Sequence, residues 1–178
     1  MPTTINGTTG VSQVQDGAIQ TADLADGAVT PAKTQMGALP SMVRLNTANG
    51  YGSTNTCIRR YTTTVTTQGT DITYADSATL GASFTINTAG VYAIANAENV
   101  GANGAAGISL NTTQPTVSIG TLTNVAERVA YETIGSANYT GQCAWTGYLP
   151  AGSVIRPHTA GSAAGIAANC DFTITRIA

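Results

Sequence analysis

Short runs that alternate apolar and polar residues fill the chain after residue 40, and they set its fold class. The closing segment NCDFTITRIA places Cys170, Phe172 and Ile174 on one side and Asp171, Thr173 and Thr175 on the other. This period of two is typical of a β-strand with one buried face. Comparable runs are CIRRYTTTVTTQGTDITYAD, SFTIN, GVYAIANAENV, GISLNTTQ, VSIGTLTNV and CAWTGYLPAGSVIRPH. Many short strands separated by Gly, Pro and Asn turns predict an all-β protein, a sandwich or jelly roll.

The composition favours a folded, weakly charged β protein. Only 9% of the residues are charged, against about 25% in an average soluble domain, while 42% are hydrophobic and 31 are threonine. The branched Cβ of threonine suits a pleated sheet, whereas disordered chains usually combine low hydrophobicity with high charge. The net charge is −2 and no basic stripe occurs. We therefore expect no nucleic-acid partner and no membrane-surface partner.

The first forty residues follow a different pattern, a repeat of ten residues. From residue 6 onward the chain reads NGTTGVSQVQ, DGAIQTADLA, DGAVTPAKTQ and MGALPSMVRL, with glycine always second. Asn-Gly and Asp-Gly are turn dipeptides, and a glycine in every ten residues opposes a continuous helix. Apolar side chains recur at Ile19, Leu24, Val29 and Leu39.

Units this small cannot bury their apolar residues within one chain, and such repeats gain stability by packing on neighbours. We therefore expect residues 1–40 to form an extended N-terminal arm that anchors through Ile19, Leu24, Val29 and Leu39. A flexible leader peptide is the alternative. Residues 41–178 are the predicted jelly-roll domain.

The chain shows no sign of a secretory leader or a membrane helix. It begins MPTTINGTTG, without a basic or apolar run, so we expect no signal peptide, and no stretch approaches the roughly 20 apolar residues of a membrane span. Its three cysteines, Cys57, Cys143 and Cys170, are an odd number. We expect free core thiols rather than a disulfide framework.

Short motifs after residue 80 resemble the jelly rolls of the tumour-necrosis-factor and complement globular-head proteins. FTINTAGVYAI carries the family's Phe and Gly-x-Tyr at Phe84, Gly90 and Tyr92, and GYLPAGSVIRPHT places Gly152 at a turn between two strands. The aromatic of the last strand corresponds to Phe172. The resemblance covers about residues 41–178. It implies a ten-stranded sandwich that associates as a tight homotrimer.

The arm resembles another group of proteins. DGAIQTADLADGAVTPAK is similar to repeat segments of bacteriophage tail fibres and other virion surface proteins. This likeness implies a structural protein on the outer surface of a tailed-phage virion. The short chain favours a capsid-decorating or cement protein, anchored to the major capsid protein or another virion protein. The alternative is a tail fibre or tail-tip protein that recognises host glycan.

Candidate catalytic and metal-binding residues are few. His158 is the only histidine, and a lone histidine is more often structural than catalytic. Glu127 and Glu132 could be a glycosidase pair, although five residues apart they need not face each other. The cysteines and His158 lack zinc-ligand spacing. We expect no enzyme activity, no cofactor and no metal site.

Three aromatic residues are the best candidates for a binding surface. Tyr139, Trp145 and Tyr148 lie within ten residues of one another, and exposed aromatic rings can form a platform for sugars. The alternative is burial in the core or in a trimer interface, where aromatic residues dominate.

Overall fold

The computed structural model describes residues 40–178. Within this range it contains ten β-strands: β1 (Met42–Tyr51), β2 (Arg59–Gln68), β3 (Ile72–Ser77), β4 (Gly81–Ile86), β5 (Gly90–Asn99), β6 (Gly104–Leu110), β7 (Arg128–Ile134), β8 (Thr140–Leu149), β9 (Val154–Pro157) and β10 (Asp171–Arg176). The predicted arm, its boundary and its anchoring residues Ile19, Leu24, Val29 and Leu39 lie outside the described residues.

The strands form two five-stranded antiparallel sheets. The first sheet has the order β2-β1-β10-β5-β8 and the second the order β3-β4-β9-β6-β7. The chain passes repeatedly from one sheet to the other, and its first and last strands pair from Met42↔Thr175 to Asn46↔Asp171. The backbone N–H of Arg176 donates to the carbonyl of Ser41 at 2.9 Å. This topology confirms the predicted all-β jelly roll.

The core lies between the two sheets and follows the alternation in the sequence. Phe172 and Ile174 of β10 are fully buried, as predicted, while Asp171 and Thr173 face the other way. The ring of Phe172 stacks on that of Phe84 across the core, with centroids 4.6 Å apart and planes at 22°. Each such side chain contributes roughly 1.5–3 kcal/mol through burial, so the facing rings join the two sheets.

One predicted strand is wrong. VSIGTLTNV is not a strand but part of an irregular segment with two short 3-10 turns, Ile119–Thr121 and Val125–Glu127. Ile119 and Leu122 both pack into a small apolar cluster with Ala105. Residues three apart lie on one side of a 3-10 turn, whereas a strand would send them to opposite faces. Packing of both residues therefore favours the turn.

All three cysteines lie within the residues that the structure describes. Cys57, Cys143 and Cys170 are free thiols, and Cys57 and Cys170 are buried. In residues 40–178 no helix is long and apolar enough to cross a membrane.

An ion pair is buried at one end of the first sheet. Arg59 begins β2 and Glu98 lies near the end of β5, and both side chains are completely buried. The guanidinium donates to the Glu98 carboxylate from Nε at 3.0 Å and from Nη2 at 2.7 Å. Nη2 also donates to the carbonyl of Ser162 at 3.3 Å. The guanidinium carbon lies 4.1 Å from the centroid of the Tyr51 ring. The pair therefore joins three strands and a loop.

Burial and pairing act in opposite directions on these two charges. Burial raises the pKa of the Glu98 carboxyl, and Arg59 opposes that effect. Burial disfavours the charge on Arg59, but the Glu98 carboxylate outweighs it and raises the pKa of the guanidinium. Each charge is thus tolerated because the other is beside it.

Replacing Glu98 by Gln should destabilise the domain by about 3–5 kcal/mol, because it leaves the Arg59 charge buried without a counterion. The change would be measured as the free energy of unfolding in a denaturant titration. The next residue supplies a matched control. Arg60 binds Asp76 with the same two-nitrogen geometry, but both side chains are partly exposed. Asp76→Asn should cost about 0–1 kcal/mol, and equal losses for the two variants would contradict a dominant role for burial.

Candidate assembly interface

The outer face of the first sheet is a regular surface formed by adjacent strands. Residues of β1, β10, β5 and β8 that point away from the core stand side by side across it. The strand registers define three rows: Met42, Thr175, Ala93 and Thr146; Arg44, Thr173, Ala95 and Ala144; Asn46, Asp171, Ala97 and Gln142. All of these residues are exposed or half-buried.

Most side chains in these rows are small and uncharged, and the exposed Tyr148, opposite Val91, lies on the same face. Its two charged residues, Arg44 and Asp171, pair with each other at 2.9 Å, so the face has no uncompensated charge. A depression of about 550 Å³ lies beside the pair and is lined by Ala95, Ala97 and Ala144 among others. Short side chains let a second backbone approach closely, and the cores of protein interfaces are depleted in charge. The chemistry of the face suits contact with another protein surface.

The residues of the jelly-roll signature occupy structural positions. Phe84 and Tyr92 are fully buried, and the Tyr92 hydroxyl donates to the carbonyl of Thr88 at 2.6 Å. Gly90 begins β5. Gly152 has a φ of +87° in the turn between β8 and β9, a conformation that favours glycine. These residues therefore have structural roles in the fold.

The three candidate aromatic residues do not come together. Tyr139 precedes β8 and is 68% exposed, whereas Tyr148 is near the other end of the strand and is 64% exposed. Trp145 points inward, where it is half-buried against the core. A strand rises about 3.3 Å per residue, so β8 holds the two tyrosines well apart. The three aromatic residues therefore do not share one surface in this structure.

Tyr139 belongs to a separate surface feature, a cleft at the connection between β7 and β8, which lie in different sheets. The cleft has a volume of about 290 Å³, and its lining includes Glu132, Ser136, Tyr139 and Thr140. A ring, a carboxylate and two hydroxyl groups offer both stacking and hydrogen bonding. This cleft is the part of the surface that retains the chemistry expected for sugar contact.

The two glutamates considered as a catalytic pair have different environments. Glu132 lines the cleft beside Tyr139, while Glu127 is buried. The Glu127 carboxylate accepts hydrogen bonds from the Thr112 hydroxyl at 2.7 Å and from the Thr113 hydroxyl at 2.8 Å. It also accepts from the Thr113 backbone N–H at 3.0 Å. These bonds, with Asn124, outweigh burial and lower the pKa of Glu127 to about 2, so this residue fastens a loop.

Three important residues were missed at the sequence level or given little weight. Arg59 and Glu98 form the buried pair, and His158 is completely buried. The alternation in GVYAIANAENV indicates that Glu98 is buried, because Glu98 is an even number of residues from the buried Tyr92 and Ile94 and points to the same face of β5. Within residues 40–178 no group of three or more His, Cys, Asp or Glu side chains is placed to hold a metal ion.

Comparison with known proteins agrees with the fold. No protein-family model and no curated protein sequence matches the chain. Among solved structures, murine APRIL at pH 5.0 superposes with a TM-score of 0.50 and 11% identity, covering 78% of this chain and 100% of APRIL. Pika GITRL gives a TM-score of 0.49 at 11% identity, covering 78% of this chain and 96% of GITRL. These structures are jelly rolls of the tumour-necrosis-factor family, and at such low identity the likeness to APRIL shows the fold alone.

The hydrogen bonds of Glu127 generate a prediction about acid stability. Its folded pKa of about 2 lies below the ordinary value of 4.5, so its stabilising effect is complete above pH 4.5 and is lost as the pH falls toward 2. Glu127→Gln should flatten that part of the stability curve. Denaturant titrations at several pH values between 2 and 5 would measure the effect. An unchanged acid slope in the variant would contradict this role.

Proposed function

We propose that this protein is a structural component of a tailed-bacteriophage virion, and specifically a capsid-decorating or cement protein. Three copies of the jelly roll form a knob on the outer surface. The arm at residues 1–40 anchors the knob to the major capsid protein or another virion protein. The observation that carries the proposal is the charge-compensated outer face of the first sheet, with its many small side chains, considered together with the decapeptide repeat that precedes the domain.

The outer face of the first sheet supports the homotrimer. In a ring of identical subunits, residues close to the threefold axis approach their own copies. Uncompensated charges there would meet like charges, whereas alanine and threonine side chains do not repel. Ala93, Ala95 and Ala97 run along β5 in the middle of this surface, and the nearest charges, Arg44 and Asp171, neutralise each other. A trimer also matches the threefold and quasi-threefold positions of a capsid lattice.

The repeat supports anchoring. Ile19, Leu24, Val29 and Leu39 supply one or two apolar side chains to each of the last three units, and burial contributes about 25 cal/mol per Å² of apolar surface. A few hundred Å² per arm would therefore supply several kcal/mol, on the order of what a weak contact needs. Three arms on one trimer would strengthen attachment through multivalency.

The trimer can be tested with one charge on the proposed interface. Ala95→Arg brings three like charges together and should convert the trimer to monomers of 18.0 kDa while leaving the circular dichroism spectrum unchanged. Ala75→Arg is the matched control, because Ala75 is exposed on β3 in the other sheet, and it should remain trimeric. Sedimentation velocity would measure the assembly state. A monomeric or dimeric unmodified protein, or a trimeric Ala95→Arg variant, would refute the interface.

Anchoring can be tested by removing the repeat. Deletion of residues 1–35 should leave a folded trimer that no longer binds virions. Co-sedimentation of the purified full-length and truncated proteins with particles lacking this protein would measure attachment. If the truncated protein binds as well as the full-length chain, the arm is not the anchor.

A second candidate function is receptor recognition by a tail fibre or tail-tip protein. The cleft beside Tyr139 favours it, because an exposed ring with Glu132 and two hydroxyl groups suits a host glycan. Copy number separates the two functions. Hundreds of copies per purified virion would support capsid decoration, whereas a few to a few tens would support a tail position.

A further inference from the structure

The irregular segment at residues 111–127 lies against the outer face of the second sheet. On β6, Ala106 and Ile108 are buried toward the core, so Ala105 and Gly107 face the opposite way. Ile119 is fully buried, packs with Ala105, and lies against the backbone of Gly107. The segment therefore covers an apolar strip that would otherwise face solvent.

The side chain of His158 contacts this segment through a hydrogen bond. The residue follows β9, is completely buried, and pairs through its backbone N–H with the carbonyl of Gly107 at 3.0 Å. Its ring Nε2 lies 2.7 Å from the carbonyl oxygen of Val117 in the covering segment. The other ring nitrogen, Nδ1, is buried and has no hydrogen-bond partner among residues 40–178. Two residues later in the segment, the N–H of Ile119 donates to the carbonyl of Thr159 at 3.0 Å.

This arrangement defines the protonation state of the ring. A carbonyl oxygen accepts only, so Nε2 carries the hydrogen of this bond. Nδ1 is buried without an acceptor among the described residues, which favours the bare nitrogen of a neutral imidazole. A second proton would have to enter at Nδ1. It would create a buried cation with an N–H that has no acceptor in its present surroundings. Opening of the segment would admit water to Nδ1.

We propose that His158 is a pH-sensitive latch, which holds residues 112–121 over the outer face of the second sheet while its ring is neutral and releases them when the ring is protonated. Release would expose Ile119, Leu122 and the strip on β6. The inference rests on the buried ring and its single side-chain hydrogen bond, and it holds whether or not the protein belongs to a virion.

The neighbouring charges are consistent with this direction. Burial lowers the pKa of His158, and Arg156 on β9 adds to the effect. The covering segment contributes Glu127, which acts in the opposite direction, and the Val117 carbonyl also favours the protonated ring. β6 carries no titratable residue. Burial raises the pKa of the nearby Cys57 thiol, so this group stays neutral in the relevant range.

The sign of the pH dependence follows from linkage. In the open form the ring takes its ordinary pKa of 6.5, while in the closed form the pKa is lower. Above pH 6.5 both forms are neutral and the latch is fully effective. As the pH falls below 6.5, the open form binds a proton that the closed form rejects, so opening increases by up to tenfold per pH unit. The increase ends below the pKa of the closed form.

Two measurements on the full chain test the latch. NMR of the single histidine ring should give a pKa below 6.5. Hydrogen exchange between pH 7.5 and 5.0, corrected for intrinsic rates, should accelerate in peptides from residues 112–121 by up to tenfold per unit. Peptides from β4 and β5 should not accelerate and provide the internal control. A ring pKa at or above 6.5, or exchange in 112–121 that does not respond to pH, would overturn the proposal.

A pair of variants separates the latch from general acid sensitivity. In His158→Gln the amide nitrogen can still donate to Val117 but does not titrate, so the acceleration below pH 6.5 should disappear. Glu127→Gln removes other hydrogen bonds of the same segment and, with the loss of a negative charge, lowers the pKa of the His158 ring further. The ring still titrates in this variant, so the acceleration should persist. If His158→Gln retains the acid response, the latch is refuted. If that variant does not fold, the ring pKa and the exchange profile of the unmodified chain decide the question.

Discussion

The buried pair of Arg59 and Glu98 is the constraint on which one end of the domain depends. A charge without a partner is very costly in a sandwich core, so neither side chain can enter the interior alone. Their strands are the first and fourth in the order of the first sheet, and Tyr51 and Ser162 complete the surroundings of the guanidinium. Two strands that are distant in sequence must therefore reach one relative position together. An apolar core alone would specify that position less strictly.

Alternation made much of this fold predictable from the sequence. The inward set of Cys170, Phe172 and Ile174 follows from a period of two, and the Pro150-Ala151-Gly152 turn correctly separates β8 from β9. Alternation does not predict the structure of VSIGTLTNV, because Ile119 and Leu122 pack against the outside of a sheet rather than into the core. The sequence of a short apolar run does not indicate which surface of a sheet the run will cover.

Proximity in the sequence was also a poor guide to function. Tyr139 and Tyr148 are close in number, but an extended strand separates them and turns Trp145 inward. The reverse holds for Arg59 and Glu98, which are 39 residues apart and in direct contact. The alternation along β5 indicates that Glu98 is buried, but only the strand order identifies Arg59 as its partner. The same limit applies to His158, whose acceptor lies 41 residues earlier in the chain.

The pairing of β1 with β10 has a further consequence for engineering. Because the backbone N–H of Arg176 donates to the carbonyl of Ser41, the first and last strands of the domain bring its two ends side by side. A short connection between these ends would leave every strand neighbour unchanged. New ends could then be opened at a surface turn such as the one at Gly152. Such a circular permutant would keep the two sheets, and a foreign peptide could be displayed from the turn that is cut.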